Sequence, residues 1–324
     1  MKTIAFHLNS MGERGTEIST FNYAYYNKRI LRNKSIIIAK RKKIFNFLEK
    51  KYIDLAKAFN IFNDNNILIY NKRARSTYWN FANNFEIFFY DTRDELEQIC
   101  KKNKVDFLYI QKYGNKDNVY SDFSKNLNHV TFMSNDRHGH KYLYVSEWLS
   151  KKMTNSNKNY VPLIVNPVFK GETSDLRKTL NISRDKIVIA SYGGKRVFDI
   201  NFLKPAIKKI LNERNDIIFL FMNYDKFYEH KNIFYLPRTV SLKNKIEFIK
   251  ASDCMLHGRL RGETFGLAIA EFSFYNKPIL CYSHPVEKAH LDILKEKAIK
   301  YENEEDLNKI SGATILLIKI LTLQ

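Results

Sequence analysis

Short apolar, β-rich runs recur along the first half of the chain: Ile4–Asn9, Lys34–Ala39, Asn66–Tyr70, Phe85–Tyr90, Val105–Gln111 and His129–Met133. Turn residues or helical stretches separate them. One helix start is well marked: Thr92 stands three residues before Glu95, and Leu96 and Ile99 follow on one face, a capping box ahead of a periodic segment. Tyr142–Val145 reads as a strand that enters a helix at Ser146–Leu149, after which the polar stretch Thr154–Asn159 breaks the pattern. A strand-like Tyr160–Val165 and an Asn166-Pro167 turn follow and place a domain boundary between residues 165 and 166.

A second series then begins. Ile187–Ser191, Ile217–Met222, Ile233–Leu236, Asp253–Leu256 and Lys277–Tyr282 read as strands, with helices over Asn201–Asn215 and Ser241–Ala251 and a mainly helical remainder. Regular alternation of this kind argues for parallel sheets with helices on their faces. The fold class is therefore α/β, in two units over residues 1–165 and 166–324. At 324 residues the chain has room for two such cores.

The most informative segment runs from His257 to Glu271. A strand ending at Leu256 meets a loop with glycines at 258 and 262, and a helix is expected from near Thr264. The free N–H groups of a helix start beyond a parallel strand form an anion site. Glu263 falls at the lip of that helix and Glu271 about two turns further on. A carboxylate can accept paired hydrogen bonds from a vicinal diol, so phosphate and sugar chemistry meet here. Two glutamates eight positions apart also arise by chance, and an acidic residue at a helix start is ordinary dipole compensation.

The string Glu-Thr-Phe-Gly-Leu-Ala-Ile-Ala-Glu, residues 263–271, resembles the glutamate–seven–glutamate signature of retaining GT-B glycosyltransferases of the GT4 type, including its Phe-Gly-Leu centre. The resemblance is specific between about residues 253 and 282 and covers the rest of the chain in architecture only. It implies a GT-B fold, two doubly wound, Rossmann-like units that face a central cleft. It further implies a nucleotide diphosphate sugar held by the second unit. Glu271 would take the ribose hydroxyls, while Glu263 and the Phe265-Gly266-Leu267 backbone would hold sugar and diphosphate.

Other residues fit this scheme by position. Gly12 and Gly15 follow the first strand, in the place where GT4-type enzymes have a glycine loop facing the donor phosphates. Gly193 and Gly194 precede Lys195 and Arg196 at the corresponding place in the second unit, and the two cations would offset the charge of the diphosphate leaving group. The further lysine usual in the family has no clean counterpart in Val197–Asn201. Relatives often carry a cleft histidine near the sugar, which makes His129 and Glu263 the candidate catalytic residues. A lone histidine on an apolar strand is, however, more often a satisfied structural group. Lys112, Tyr113, Gly114 and Asp117 are candidate acceptor contacts. Arg259 and Arg261 are equivalent candidates for pairing with phosphate or orienting Glu263. His138 and His140 lack a third ligand at metal-binding spacing. The Asp-x-Asp motif of GT-A enzymes is absent, as are P-loop, hydrolase-elbow and zinc-protease motifs. No metal is expected, and no cofactor beyond the nucleotide sugar as co-substrate.

Charge adds a partner class. The formal net charge is +20, of which residues 1–170 contribute +14. The run Lys40-Arg41-Lys42-Lys43, with Lys50, Lys51 and Lys57, suits peripheral contact with an anionic membrane or an acidic glycan, and a solvated basic face accounts for it equally well. No nucleic-acid signature accompanies it, so nucleic acid is not an expected partner. The expected acceptor is a glycan or lipid-linked molecule. Cys100, Cys254 and Cys281 are odd in number and widely spaced, which reads as a reducing compartment. With no leader read at the N-terminus and no spanning stretch, a cytoplasmic location is expected, and Thr314–Leu323 reads as a packed helix. Two alternatives stand beside glycosyl transfer: a nucleotide-sugar epimerase or sugar phosphorylase on the same fold, and a non-enzymatic basic protein that binds polyanions.

Overall fold

The computed structural model describes residues 1–12, 14–41, 72–239 and 241–310. The expected strand Asn66–Tyr70, the helix Thr314–Leu323 and the basic residues Lys42, Lys43, Lys50, Lys51 and Lys57 lie outside these. The chain divides into two compact units, Met1–Ile164 and Val165–Gln324, one residue from the boundary read in the sequence.

The first unit runs β1 (Thr3–Leu8), α1 (Gly15–Arg29), β2 (Lys34–Lys40), α2 (Lys72–Ala82), β3 (Glu86–Tyr90), α3 (Arg93–Lys102), β4 (Phe107–Lys112), β5 (Lys125–Val130), β6 (Lys141–Tyr144) and α4 (Glu147–Thr154). Its six strands pair in the order β3-β2-β1-β4-β5-β6, all parallel. Ile36, Ile37, Ile38 and Ala39 of β2 are all fully buried, because helices cover both faces of the sheet. Alternate residues feed opposite cores: Ile36 and Ile38 pack with Leu96 and Cys100 of α3, and Ile37 and Ala39 with Ala24 of α1 and Phe81 of α2. At the start of α3, Thr92 Oγ1 accepts from Glu95 N, as the capping pattern predicts, while the Glu95 side chain reaches back to Asp91 N at 2.8 Å.

The second unit runs β7 (Ile187–Tyr192), α5 (Leu203–Glu213), β8 (Ile217–Met222), β9 (Ile233–Leu236), α6 (Leu242–Ala251), β10 (Cys254–His257), β11 (Gly262–Glu263), α7 (Leu267–Phe274), β12 (Ile279–Tyr282), β13 (Glu287–Lys288), α8 (Ala289–Leu294), β14 (Ala298–Tyr301) and α9 (Glu304–Lys309). Its main sheet has the order β14-β12-β10-β7-β8-β9, also all parallel, and β11 and β13 form a separate two-strand pair. Counted within each unit, both six-stranded sheets follow the order 3-2-1-4-5-6 of the Rossmann fold. The strand order reverses between β1 and β4 in the first unit and between β7 and β10 in the second. Ligands of open α/β sheets bind beyond the strand ends at such a point.

Four expectations need correction. Residues 161–165 are irregular, and Tyr160 makes only an isolated bridge to Tyr144; Pro162, lacking an N–H, cannot extend a ladder. The strand read at His129–Met133 is instead β5, which starts at Lys125, because the buried amides of Asn126 and Asn128 bond to the carbonyls of Ser121 and His138 and so tolerate the interior. The described residues after 282, read as mainly helical, also hold two strands, β13 and β14, and β14 completes the sheet beside β12. The helix expected near Thr264 begins at Leu267 because Gly266 adopts a left-handed conformation, φ 92° and ψ 64°. All three cysteines are free and buried. No helix among the described residues is long and apolar enough to cross a membrane.

Gly262 places the signature segment. Its φ is +78°, and a Cβ there would stand 2.0 Å from the Glu287 carbonyl oxygen, across the β11–β13 pair. Gly262→Ala is expected to destabilise the second unit by about 2 kcal/mol or more, through strain and the backbone collision. Urea unfolding followed by circular dichroism checks this, and an unchanged midpoint would contradict it.

Candidate functional site

The strand reversal between β7 and β10 brings the two loops that follow them into contact. Asp199 N donates to the Gly258 carbonyl at 3.0 Å, and Leu260 N donates to Asp199 Oδ1 at 2.7 Å. A Cβ on Gly258 would lie 2.4 Å from the Phe198 ring, so only glycine allows this approach. In the loop after β7, the Gly193 carbonyl accepts from Asn223 Nδ2 at 2.6 Å, and a Cβ on Gly193 would stand 2.9 Å from the Tyr224 hydroxyl. Helix α7 follows the second loop, and no side chain caps its start. Its first-turn N–H groups are therefore suited to an anion.

Glu263 lies in β11, just ahead of that helix and not on it. Its Oε2 accepts from Arg259 at 2.9 Å, and its Oε1 faces His257 Nε2 at 3.4 Å. Burial, the largest single influence, pushes the Glu263 carboxyl up, but His257 and Arg259 together outweigh it and hold the group below its usual value. Arg259 pairs with Glu263, while Arg261 pairs with the fully buried Glu287 at 2.8 Å. The His290 ring sits 4.9 Å from that of His257. Burial, reinforced by His257, pushes the His290 imidazole down to about 3, so it is neutral at pH 7.

Glu271, on α7, is buried and bonded through Oε1 to Lys245 Nζ of α6 at 2.5 Å. The Lys245 ammonium also lies 5.7 Å from the centre of the Tyr192 ring, which packs against Phe248 and Phe272. Burial pushes the Glu271 carboxyl up and the Lys245 ammonium down. The contact between them opposes both shifts.

The remaining sequence candidates fall as follows. Lys195 is exposed and pairs with Asp225 at 3.0 Å. Arg196 is exposed and has no ion-pair partner among the described residues. Gly194 accepts through its carbonyl from Val197 N. Phe265 is buried and Leu267 half-buried at the start of α7. In the first unit Gly15 is the first residue of α1, and the Gly12 carbonyl accepts from Thr77 Oγ1. Lys112 is buried and bonded to Asp117 and His138, Tyr113 stacks on Phe132, and Gly114 has a φ of +137° against Ser134. His140 Nδ1 accepts from Asn126 N.

His129 is buried in β5, its Nδ1 bonded to the Tyr109 hydroxyl at 2.6 Å and its Nε2 to the Val161 carbonyl at 2.8 Å. Burial lowers its pKa to about 4. Both nitrogens have protein partners, and contact with a sugar hydroxyl requires exchanging one of them. Sequence reading missed Lys245, Tyr224 and His290. Each reaches the site from an element far along the chain, and no local motif marks any of them.

Two outcomes follow from these pairs. Lys245→Met leaves the Glu271 carboxyl buried without its partner and is expected to destabilise the second unit by about 1–3 kcal/mol, most of it recovered in Lys245→Met with Glu271→Leu. Chemical denaturation checks both, and a Lys245→Met protein as stable as wild type would contradict the pairing. The Glu263 carboxyl titrates lower folded than unfolded, so its contribution is present above its unfolded value of about 4.5 and is lost as pH falls through the lower folded value. Stability measured between pH 7 and pH 3 is expected to fall less steeply in Glu263→Gln, and parallel profiles would show that the pairing adds nothing.

No protein-family profile matches the chain, and no curated protein sequence does. Solved structures match it over nearly its whole length. A glycosyltransferase from Rickettsia africae is 14% identical, with 97% of this chain and 90% of that one covered and a TM-score of 0.61. Anabaena HepE in complex with UDP and glucose is 10% identical, with 97% and 91% covered and a TM-score of 0.60. A protein provisionally named UDP-N-acetylglucosamine 2-epimerase, from Listeria monocytogenes, is 10% identical, with 98% and 88% covered and a TM-score of 0.57. Likeness at these identities speaks for architecture alone, and the architecture is that of GT-B glycosyltransferases, two Rossmann-like units with parallel six-stranded sheets.

Proposed function

We propose that the chain is a retaining, metal-independent glycosyltransferase of the GT4 type, which moves a sugar from a nucleotide diphosphate sugar to a glycan or lipid-linked acceptor. The observation that carries this reading is the placement of Glu263 and Glu271 on either side of the uncapped start of α7, at the strand reversal of a doubly wound sheet. The N–H groups of α7 receive the diphosphate. Glu271 meets the ribose, and Glu263, kept ionised by Arg259 and His257, accepts from sugar hydroxyls. As the glycosidic bond to the donor phosphate breaks, charge develops on the leaving diphosphate, and the α7 dipole with Lys195 and Arg196 stabilises it. A phosphate oxygen of the donor takes the proton of the acceptor hydroxyl. Acceptor recognition falls to the first unit, whose basic balance suits an acidic or lipid-linked partner at a membrane surface.

HepE is solved with UDP and with UDP-glucose, which makes a uridine diphosphate sugar the first donor to try. The likeness to the Listeria protein favours one other reaction on the same donor, epimerisation of its sugar. A thermal-shift screen against UDP-, GDP-, ADP- and CMP-sugars separates these ideas in two steps. A true donor at 100 times its dissociation constant is expected to add about 2.7 kcal/mol of stability, and Glu271→Ala to abolish the shift. Incubation of that donor with candidate acceptors is then expected to give a glycosylated product. An epimerised donor with no transfer would replace this reading by the other one, and no shift with any nucleotide sugar would remove both.

A further inference from the structure

The pairing of Glu271 alters how a ribose is read at this site. The sequence motif by itself allows a carboxylate whose two oxygens grip both ribose hydroxyls. In the folded chain Oε1 is already engaged by Lys245 Nζ at 2.5 Å, between α6 and α7, where the two side chains are only 7% and 6% exposed. Oε2 has no hydrogen-bond partner among the described residues, and it is not one of the fully enclosed, unsatisfied polar atoms. It is therefore the oxygen that no donor among the described residues occupies. We propose that Lys245 is a positioning residue that holds Oε1 of Glu271 and so aims Oε2 at the donor ribose, with the result that one ribose hydroxyl is read more strongly than the other. The inference rests on the nucleotide-sugar reading above and narrows it.

Three features support it. A buried ion pair is seldom more stable than a well-packed apolar pair of the same volume, so stability does not account for Lys245 and Glu271 in this place, whereas fixed orientation does. The Nζ donor faces Oε1, so Oε2 keeps its lone pairs for another donor. The lysine is itself held: its ammonium lies over the Tyr192 ring, and Tyr192 is clamped between Phe248 and Phe272 at ring separations of 5.8 and 5.7 Å. Tyr192 ends β7 and leads directly into Gly193 and Gly194, so the orienting group belongs to the same strand end as the expected phosphate loop. Without Lys245, the Glu271 carboxyl, raised by burial, would hold its proton at neutral pH on either oxygen, and the fixed acceptor would be lost.

The test is isothermal titration of the full chain with UDP, 2′-deoxy-UDP and 3′-deoxy-UDP. A hydrogen bond from one hydroxyl to a charged acceptor corresponds to about tenfold or more in affinity. Wild type is expected to lose about that much with one analogue and less than about threefold with the other. Lys245→Met is expected to bind both analogues within about threefold of each other, and Lys245→Arg, which restores a cation, to recover the preference. Equal losses with both analogues in wild type, a two-hydroxyl grip, overturn the proposal while leaving the nucleotide-sugar reading intact. A folded Lys245→Met protein with the full preference does the same. If Lys245→Met does not fold, the wild-type comparison and Lys245→Arg decide the matter. Wild type that binds none of UDP, ADP and GDP overturns the parent reading and this inference with it.

Discussion

Two hydrogen bonds from a single aspartate hold the candidate site in register. The backbone N–H of Asp199 donates to Gly258, and its carboxylate accepts from Leu260 N, so the loops after β7 and β10 are tied to one another directly. These strands are neighbours only because the parallel sheet reverses its order there. The close approach has no room for a side chain at Gly258, which faces Phe198. From this tie the rest follows: β10 delivers His257, the next loop delivers Arg259 to Glu263, and Gly266 turns the chain into α7 with its first N–H groups uncapped. At the sheet edge, the buried Tyr301 hydroxyl donates to the His257 carbonyl at 2.7 Å and fixes the end of β10 from β14.

The two signature carboxylates are prepared in different ways. Glu263 is partly exposed and bracketed by an arginine and a histidine, which keep it ionised against the effect of burial. Glu271 is buried and bound to one lysine. One is a charge held open to a ligand, and the other is an acceptor whose direction has been set in advance. Under the proposed function, preorganisation of this kind would reduce the rearrangement needed when a donor binds or when charge develops at the diphosphate.

Much of this architecture was legible in the sequence. Strand runs such as Ile36-Ile37-Ile38 and Ile217–Met222 are apolar on both faces and announce buried parallel strands, and Thr92 with Glu95 marks its helix correctly. The failures have physical causes. The first part of β5 is built around Asn126 and Asn128, polar residues whose strand character shows only once their partners are known. β14 carries Lys300 beside the fully buried Tyr301, and its strand character comes from pairing with β12. The start of α7 was misplaced because a left-handed glycine cannot be told from an ordinary one in sequence. Glu263 and Glu271 were visible through their spacing, whereas Lys245 lies 26 residues from Glu271 and only the packing of α6 against the sheet brings it near. His129 was visible as a residue type, and its two buried partners were not.

The central claim is that a nucleotide diphosphate sugar binds beyond β7 and β10 of the second unit. The most direct measurement is a crystal structure of the chain soaked with UDP. The account predicts the diphosphate within about 3 Å of the backbone amides that open α7 and the ribose against Oε2 of Glu271. UDP bound at any other place, with Glu271 and the start of α7 untouched, would contradict it.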